Sequence, residues 1–102
     1  LKGIVEMTAD GPVIIVSRDR LTDKEAVGVL LYALDPAGLK PKEMSRLLSL
    51  SGFLSVGFAS RISELKREGL AYKEADAYKL TVAGKKWIED LVASGRYGGA
   101  KT

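Results

Sequence analysis

Residues 55–80 read SVGFASRISELKREGLAYKEADAYKL. Phe58, Ile62 and Leu65 recur at the spacing of one helix face, which predicts an amphipathic helix with its apolar stripe turned inward. Ser55 is the predicted N-cap, because serine is among the residue types preferred at that position.

Gly69 follows the last turn of this helix, where a glycine adopts the left-handed conformation that ends a helix. A hairpin is predicted next, with strands over residues 70–74 and 78–81 around a turn over 75–77. The outward face of the helix is small, polar and basic, which suits a surface that lies in a groove. This face comprises Val56, Gly57, Ser60, Arg61, Ser63, Glu64 and Arg67.

Two helices are predicted upstream. Thr22 with Glu25 three residues later forms a capping box, and it precedes an apolar stripe that ends before Pro36. Pro41 is typical of a first helical position. The apolar residues of these two helices are Val27, Leu30, Leu31 and Leu34 in the first, and Met44, Leu47 and Leu48 in the second.

A last helix is predicted to begin at a Thr81 cap and to end at Ser94. Its inward face comprises Gly84, Trp87, Ile88 and Leu91. A glycine inside a helix costs about 1 kcal/mol relative to alanine, so Gly84 indicates a close packing contact.

Residues 3–7 and 13–17 predict an N-terminal hairpin, with the turn signal Asp10-Gly11 between them. The second strand carries an uninterrupted apolar run from Val13 to Val16. Together with Trp87 and Leu91 this is more apolar surface than one small core covers. Surplus apolar surface predicts an interface, here a homodimer built from the hairpin, the last helix or both.

The composition is that of one globular domain, since 102 residues with 46% apolar and 28% charged residues bury a modest core. The absence of cysteine excludes disulfides and thiolate metal sites. The chain also has no His, Asn or Gln beside plentiful Lys and Glu, which is typical of a thermophile. With no apolar run of about 20 residues and no visible signal peptide, we expect no membrane segment and a cytoplasmic setting.

The sequence favours a binding function over catalysis. It lacks the common general base and the thiol nucleophile, and its carboxylates are scattered. Gly52 and Gly57 have the spacing of a phosphate loop, but Phe58 and Ala59 follow where a Walker motif needs Lys and then Ser or Thr. We therefore expect no catalytic residues, no cofactor and no metal.

The charge distribution favours a nucleic-acid partner. Residues 1–37 carry four Lys/Arg and six Asp/Glu, whereas residues 38–102 carry twelve and seven. The segment with the excess of positive charge contains the groove-suited helix and the hairpin after it, which is the sign expected of a nucleic-acid-binding surface.

The pattern Ile-x-x-Leu-x-x-x-Gly-Leu, followed by a hairpin that ends Tyr-x-Leu-Thr, resembles the recognition helix and wing of winged helix-turn-helix domains. The order of elements extends the resemblance over residues 22–93, and the chain looks most like small archaeal-type transcriptional regulators. The resemblance implies an α+β fold with a three-helix core, a β-hairpin wing and a C-terminal helix. The N-terminal hairpin and its connector (1–21) and a flexible tail (94–102) lie outside it. The link between the second and third helices looks about three residues longer than is usual in the family.

The resemblance implies a dimeric transcriptional regulator that binds duplex DNA. Arg61 is placed to read guanine, Arg67 and the lysines to contact phosphates, and the wing to touch the DNA backbone or minor groove. The implied DNA contacts are Lys42, Arg46, Ser55, Val56, Gly57, Ser60, Arg61, Ser63, Glu64, Arg67, Lys73 and Lys79. The alternative is a winged-helix adaptor that binds protein within a larger replication, segregation or scaffold protein.

Overall fold

The structure, a computed structural model, describes residue 1 and residues 3–95. Over these residues the fold is α+β, with four α-helices and two small antiparallel hairpins. The strands are β1 (Val5–Thr8), β2 (Gly11–Ile14), β3 (Ala71–Glu74) and β4 (Ala77–Leu80). The helices are α1 (Asp23–Ala33), α2 (Pro41–Leu50), α3 (Phe58–Arg67) and α4 (Val82–Ser94), with a short 3-10 helix at Arg18–Arg20. None of the helices in this described part has the length and apolar character needed to cross a membrane.

Helix α1 lies at the centre of the molecule and packs against the other three helices, β2 and β4. Residues 26–31 are buried without interruption, so α1 is covered on nearly all sides. Its predicted capping box is confirmed: the Glu25 amide donates to the Thr22 hydroxyl at 3.1 Å, and the Thr22 amide donates to the Glu25 carboxylate at 2.9 Å. The capped start fixes where α1 begins, and the apolar faces of its neighbours assemble around it.

Helix α4 makes close contacts at Gly84 and at Trp87, and the contact at Gly84 was predicted from the sequence. A Cβ at Gly84 would lie 2.0 Å from the Leu70 carbonyl oxygen. The Trp87 ring lies over Gly28 of α1, where an added Cβ would be 2.4 Å away, and Leu91 is 7% exposed. The chain's own core therefore uses Trp87 and Leu91, and the expectation that they leave surplus apolar surface on this helix is wrong.

The N-terminal hairpin forms with shorter strands than predicted, paired over 5–8 and 11–14 instead of 3–7 and 13–17. The turn is tighter than expected because the Thr8 hydroxyl accepts from the Asp10 amide at 3.1 Å and donates to the Gly11 carbonyl at 2.8 Å. The apolar run is divided: Ile14 is buried against the helices, while Ile15 is 52% exposed.

The hairpin β3–β4 turns through Ala75 and Asp76 alone, so the predicted three-residue turn is one residue too long. Leu39, in the segment between α1 and α2, forms a β-bridge with Tyr78 of β4. The Leu39 amide donates to the Tyr78 carbonyl at 3.0 Å, and the Tyr78 amide donates back at 2.8 Å. This bridge joins the second hairpin to the chain that enters α2.

Helix α3 begins at Phe58, so the prediction of a Ser55 N-cap is wrong. Its N-cap is Gly57, which has the left-handed φ of 85° and no side chain to cap with. A glycine adopts that conformation without the steric cost that a Cβ brings. Ser55, Val56 and Gly57 therefore precede the helix instead of lying on its outward face. The predicted tail over 94–102 falls outside the described residues from position 96 onwards, and Ser94 still belongs to α4.

Candidate nucleic-acid interface

The C-terminus of α3 is closed by a complete Schellman motif. The Leu70 amide donates to the Leu65 carbonyl at 2.8 Å, and the Gly69 amide donates to the Lys66 carbonyl at 3.1 Å. Gly69 has a φ of 76°, which confirms the predicted left-handed stop. Ile62 and Leu65 are buried in the core, so the orientation of α3 is fixed and its opposite face is exposed.

The exposed face of α3 forms one shallow depression that brings most of the predicted helix contacts together. Ala59, Ser60, Ser63 and Arg67 are exposed along it. The residues lining the depression are Ala59, Ser60, Arg61, Ser63, Glu64 and Arg67. Short side chains on this face allow another surface to approach the helix backbone closely.

Arg61 is not free on that face. Its Nε lies 3.1 Å from a Glu64 carboxylate oxygen, one helical turn along, and its side chain is 38% exposed. A base edge can therefore bind Arg61 either at its Nη groups or in place of Glu64 at Nε. Arg67 is exposed and forms no ion pair within the described part of the chain, so a phosphate can approach it without displacing a carboxylate.

The segment before α3 exposes apolar side chains. Val56 is 89% exposed and Leu54 is 56% exposed, and both border a hollow walled by Val27, Leu48 and Phe58. Ser55 is half-buried. The predicted contacts at residues 55–57 thus belong to an apolar turn beside the helix and not to the helix itself.

The two cations predicted on α2 differ in their surroundings. Lys42 is exposed and has no ion-pair partner among the described residues, whereas the Arg46 guanidinium lies 3.9 Å from Asp10 in the N-terminal turn. Lys40, just before α2, lies 3.6 Å from Asp76 at the tip of the second hairpin. The start of α2 is therefore adjacent to that hairpin's turn.

The two lysines predicted on the wing also differ. The Lys73 ammonium lies 5.7 Å from the centre of the Tyr78 ring, a cation–π contact that leaves the charge exposed. The Lys79 ammonium donates to the Glu74 carboxylate, and its side chain is only 21% exposed. That hydrogen bond raises the pKa of Lys79 and lowers the pKa of Glu74. Lys79 therefore supports the hairpin, and Lys73 is the cation of this hairpin that is open to a ligand.

Sequence reasoning missed Lys66, which is exposed in the last turn of α3. Its signal was present, because Lys66 and Arg67 lie three and four residues after Ser63 and so share its side of the helix. The exposed cations without an ion pair in the described residues of α2, α3 and the β3–β4 hairpin are Lys42, Lys66, Arg67 and Lys73. No cluster of His, Cys, Asp or Glu among the described residues has the makings of a metal site.

No protein-family model matches the chain, and neither a curated protein nor a solved structure does.

Proposed function

We propose that this chain is a winged helix-turn-helix protein that binds duplex DNA as a dimeric transcriptional regulator, with α3 in the major groove and β3–β4 as the wing. The observation that carries the proposal is the exposed depression along α3, which is lined by small polar side chains and continues to a free arginine. A surface of this kind offers close backbone approach and positive charge together, which a nucleic-acid groove requires.

The dimensions of α3 support this role. An α-helix with its side chains is about 10–12 Å across, so a major groove about 12 Å wide admits α3. The buried stripe of Ile62 and Leu65 and the Schellman motif hold α3 as a rigid element, so that no ordering of the helix is needed when it binds.

The Leu39–Tyr78 bridge supports the assignment of β3–β4 as the wing. It fixes the hairpin to the segment that enters α2, and Lys40 lies close to the hairpin's turn. The exposed cations of α2 and the wing then belong to one framework with α3. We expect Lys42, Lys66, Arg67 and Lys73 to contact phosphates, and Arg61 to bind a guanine.

A titration against random duplex DNA at two salt concentrations tests the proposal. Each phosphate contact contributes about 0.9 to the slope of log affinity against log salt concentration. Arg67→Ala should weaken binding to all sequences about equally and lower the slope by about one. Lys86→Ala is the matched control, because Lys86 is an exposed cation on α4 that lies 3.3 Å from Asp90. If the wild-type protein at about 0.1 M salt binds no tighter than about 10⁻⁴ M, the weak end of non-specific affinity, the DNA proposal is wrong.

Lys73→Ala and Lys79→Ala form a second matched pair within the same hairpin. We expect Lys73→Ala to lower the salt slope and Lys79→Ala to leave it nearly unchanged, because Lys79 already donates to Glu74. Arg61→Ala, by contrast, should cost about 1–3 kcal/mol on a preferred site and relax the choice at one base pair. Salt slopes equal to that of the wild type in both lysine variants would remove the wing from the interface.

An adaptor that binds protein is the second candidate function. The observation that favours it is the exposed apolar pair Leu54 and Val56 beside the hollow before α3, since apolar side chains of this kind bind protein better than phosphate. The DNA affinity of the wild type separates the two candidates, because an adaptor shows none. If the wild type binds DNA, Val56→Glu should weaken that binding only modestly, since α3 is the reading element.

A further inference from the structure

The two edges of the N-terminal hairpin differ. The β2 edge is closed: the Ile14 amide donates to the Ser51 hydroxyl at 2.9 Å, and Pro12 has no amide hydrogen to offer. The β1 edge has no strand beside it in the described part of the chain. An open edge presents backbone groups to which another strand can pair.

The hydrogen-bonding pattern identifies which backbone groups are open. The Ile15 amide donates to the Ile4 carbonyl at 2.8 Å, so this opposed pair is a hydrogen-bonded one. Because such pairs alternate along an antiparallel ladder, Glu6 and Thr8 bond to β2, while Val5 and Met7 direct their groups outward. The Val5 amide already donates to the Leu1 carbonyl at 3.1 Å. The amide and the carbonyl of Met7 are left without a partner among the described residues.

An apolar groove lies beside this edge. It has a volume of about 350 Å³ and is lined by Leu1, Val5, Met7, Tyr32 and Ala33. Met7 is 64% exposed. The Tyr32 hydroxyl donates to Glu89 at 2.8 Å, so its polar end is satisfied and its ring serves as an apolar wall.

We infer that the β1 edge pairs antiparallel with the β1 edge of a second copy, in the register centred on Met7. In that register the two Met7 residues oppose each other, and each amide donates to the other's carbonyl. Side chains of an opposed pair lie on the same face of the sheet, so each Met7 adds its apolar side chain to the other copy's groove face. An edge with one free donor and one free acceptor on the same residue is complementary to itself under a two-fold axis.

Charge and hydrogen bonding select this register over its neighbour. Centring on Met7 places Glu6 opposite Thr8 of the second copy. Centring on Glu6 would place two glutamates opposite each other and would require the Val5 amide that Leu1 already uses. This inference deepens the dimeric part of the proposed function and does not depend on DNA binding.

Sedimentation of the DNA-free full chain tests the interface. Between about 1 and 100 μM, where a micromolar dimer forms, the wild type should sediment at twice the 11.0 kDa of one chain. Met7→Glu should weaken dimerisation more than about tenfold and give the monomer mass. Val82→Glu is the control, since Val82 is an 83%-exposed apolar residue on α4 that receives the same charge.

A charge exchange tests the register and the identity of the partner. Met7→Lys alone should be monomeric, but mixing it with Met7→Glu should restore a dimer, because the introduced charges then oppose each other with opposite signs. Met7→Cys gives an independent measure in a chain without cysteine: it should cross-link to itself under mild oxidation, while Val82→Cys should not.

A monomeric wild type overturns the inference, as does a folded Met7→Glu variant that stays dimeric. A self-associating wild type whose two charge variants fail to restore each other overturns the Met7-centred register. Failure here is distinguishable from failure of the DNA proposal. A monomer that binds DNA contradicts the interface and the dimeric part of the proposed function but leaves DNA binding intact, whereas a dimer without DNA affinity contradicts only the DNA function.

Discussion

The two hairpins of this chain are nearly equal in size, yet they are attached to the helices in different ways. Each pairs two four-residue strands around a two-residue turn. The β4 edge of the second hairpin is joined by backbone hydrogen bonds to Leu39, and its base is tied by the Thr81 amide, which donates to the Leu70 carbonyl at 3.0 Å. The N-terminal hairpin depends at its closed edge on one side-chain hydroxyl, that of Ser51.

This difference matters because a two-stranded hairpin is marginally stable by itself. What surrounds its edges decides whether it is a rigid part of the fold or a surface for another strand. In the second hairpin, backbone groups of Leu39 hold β4, so the position of this hairpin is set by the main chain. In the N-terminal hairpin, Met7 has an amide and a carbonyl with no partner among the residues that the structure describes, and a partner strand can use them.

Gly38→Ala should have the largest effect on this comparison, because it breaks the attachment of the second hairpin. Gly38 has a φ of 78°, and an added Cβ would lie 2.6 Å from the Tyr78 carbonyl oxygen. We expect a loss of about 3 kcal/mol, since overpacking typically costs 1–3 kcal/mol and a left-handed alanine adds to it. Urea unfolding measures the loss, and hydrogen exchange at the Leu39 and Tyr78 amides should accelerate.

Gly52→Ala is the matched control. Gly52 has nearly the same φ, 81°, but no atom lies within 4 Å of the added Cβ. It should cost only about 1–2 kcal/mol, the price of the left-handed conformation. Equal losses for the two variants would show that Gly38 is required only for its backbone angle and that contact with β4 is unimportant.

Ser51→Ala should have an intermediate effect and should act on the N-terminal hairpin alone. It removes the acceptor of the Ile14 amide, and Ile14 is 3% exposed. A buried donor left without a partner costs about 1–3 kcal/mol. Exchange at the Ile14 amide should accelerate while exchange at Tyr78 is unchanged.

Ser49→Ala tests whether the effect is specific to the Ser51 hydroxyl, because Ser49 is an exposed serine in α2, two residues before Ser51. Its unfolding free energy should stay within about 0.5 kcal/mol of the wild type. An unaltered Ile14 amide in Ser51→Ala would mean that this edge is held by packing and not by the hydroxyl.

The features predicted correctly from the sequence are those that depend on local chemistry. Thr22 with Glu25, Pro41 at the start of α2, and Gly69 after α3 are capping or stop signals whose effect reaches only one turn. The close contact at Gly84 was also predictable, because a glycine inside a helix indicates a neighbour. The order of helices and hairpins over residues 22–93 was predictable as well, because the spacing of apolar residues is also a local signal.

The features that were missed depend on backbone angles or on contacts distant in sequence. Ser55 has a favourable residue type for an N-cap, but the left-handed Gly57 sets the start of α3. No pattern in the sequence around Leu39 predicts its β-bridge to Tyr78. On the candidate site, the pairing of Lys79 with Glu74 depends on the register of the hairpin. The pairing of Arg61 with Glu64, by contrast, has an i,i+3 spacing that the sequence shows. The thermophilic and cytoplasmic assignments stay predictions.

The smallest expected effect concerns the ion pair between Glu74 and Lys79, which lies within the second hairpin. The Lys79 ammonium lowers the pKa of the Glu74 carboxyl through their hydrogen bond, and Glu74 raises the pKa of Lys79 in return. Since the folded pKa of Glu74 lies below its unfolded one, its stabilising contribution is complete above the ordinary glutamate value of about 4.3. That contribution disappears as the pH falls through the folded pKa. The contribution of Lys79 is complete below its ordinary pKa of about 10.4 and disappears as the pH rises through the higher folded value.

We therefore expect Glu74→Gln to be less stable than the wild type at neutral pH and to converge with it in acid. The difference should be small, because the Glu74 side chain is 62% exposed and solvent screens the pair. An NMR titration should place the Glu74 carboxyl below the usual glutamate range. Lys79→Met should return it to that range, while Lys42→Met, which removes a cation without an ion pair in the described part of the chain, should leave it in place. If Lys79→Met does not move the Glu74 pKa, the pair is not formed in solution. Lys79 would then be free to contact phosphate, as we propose for Lys73, and the distinction between the two lysines of this hairpin would have to be abandoned.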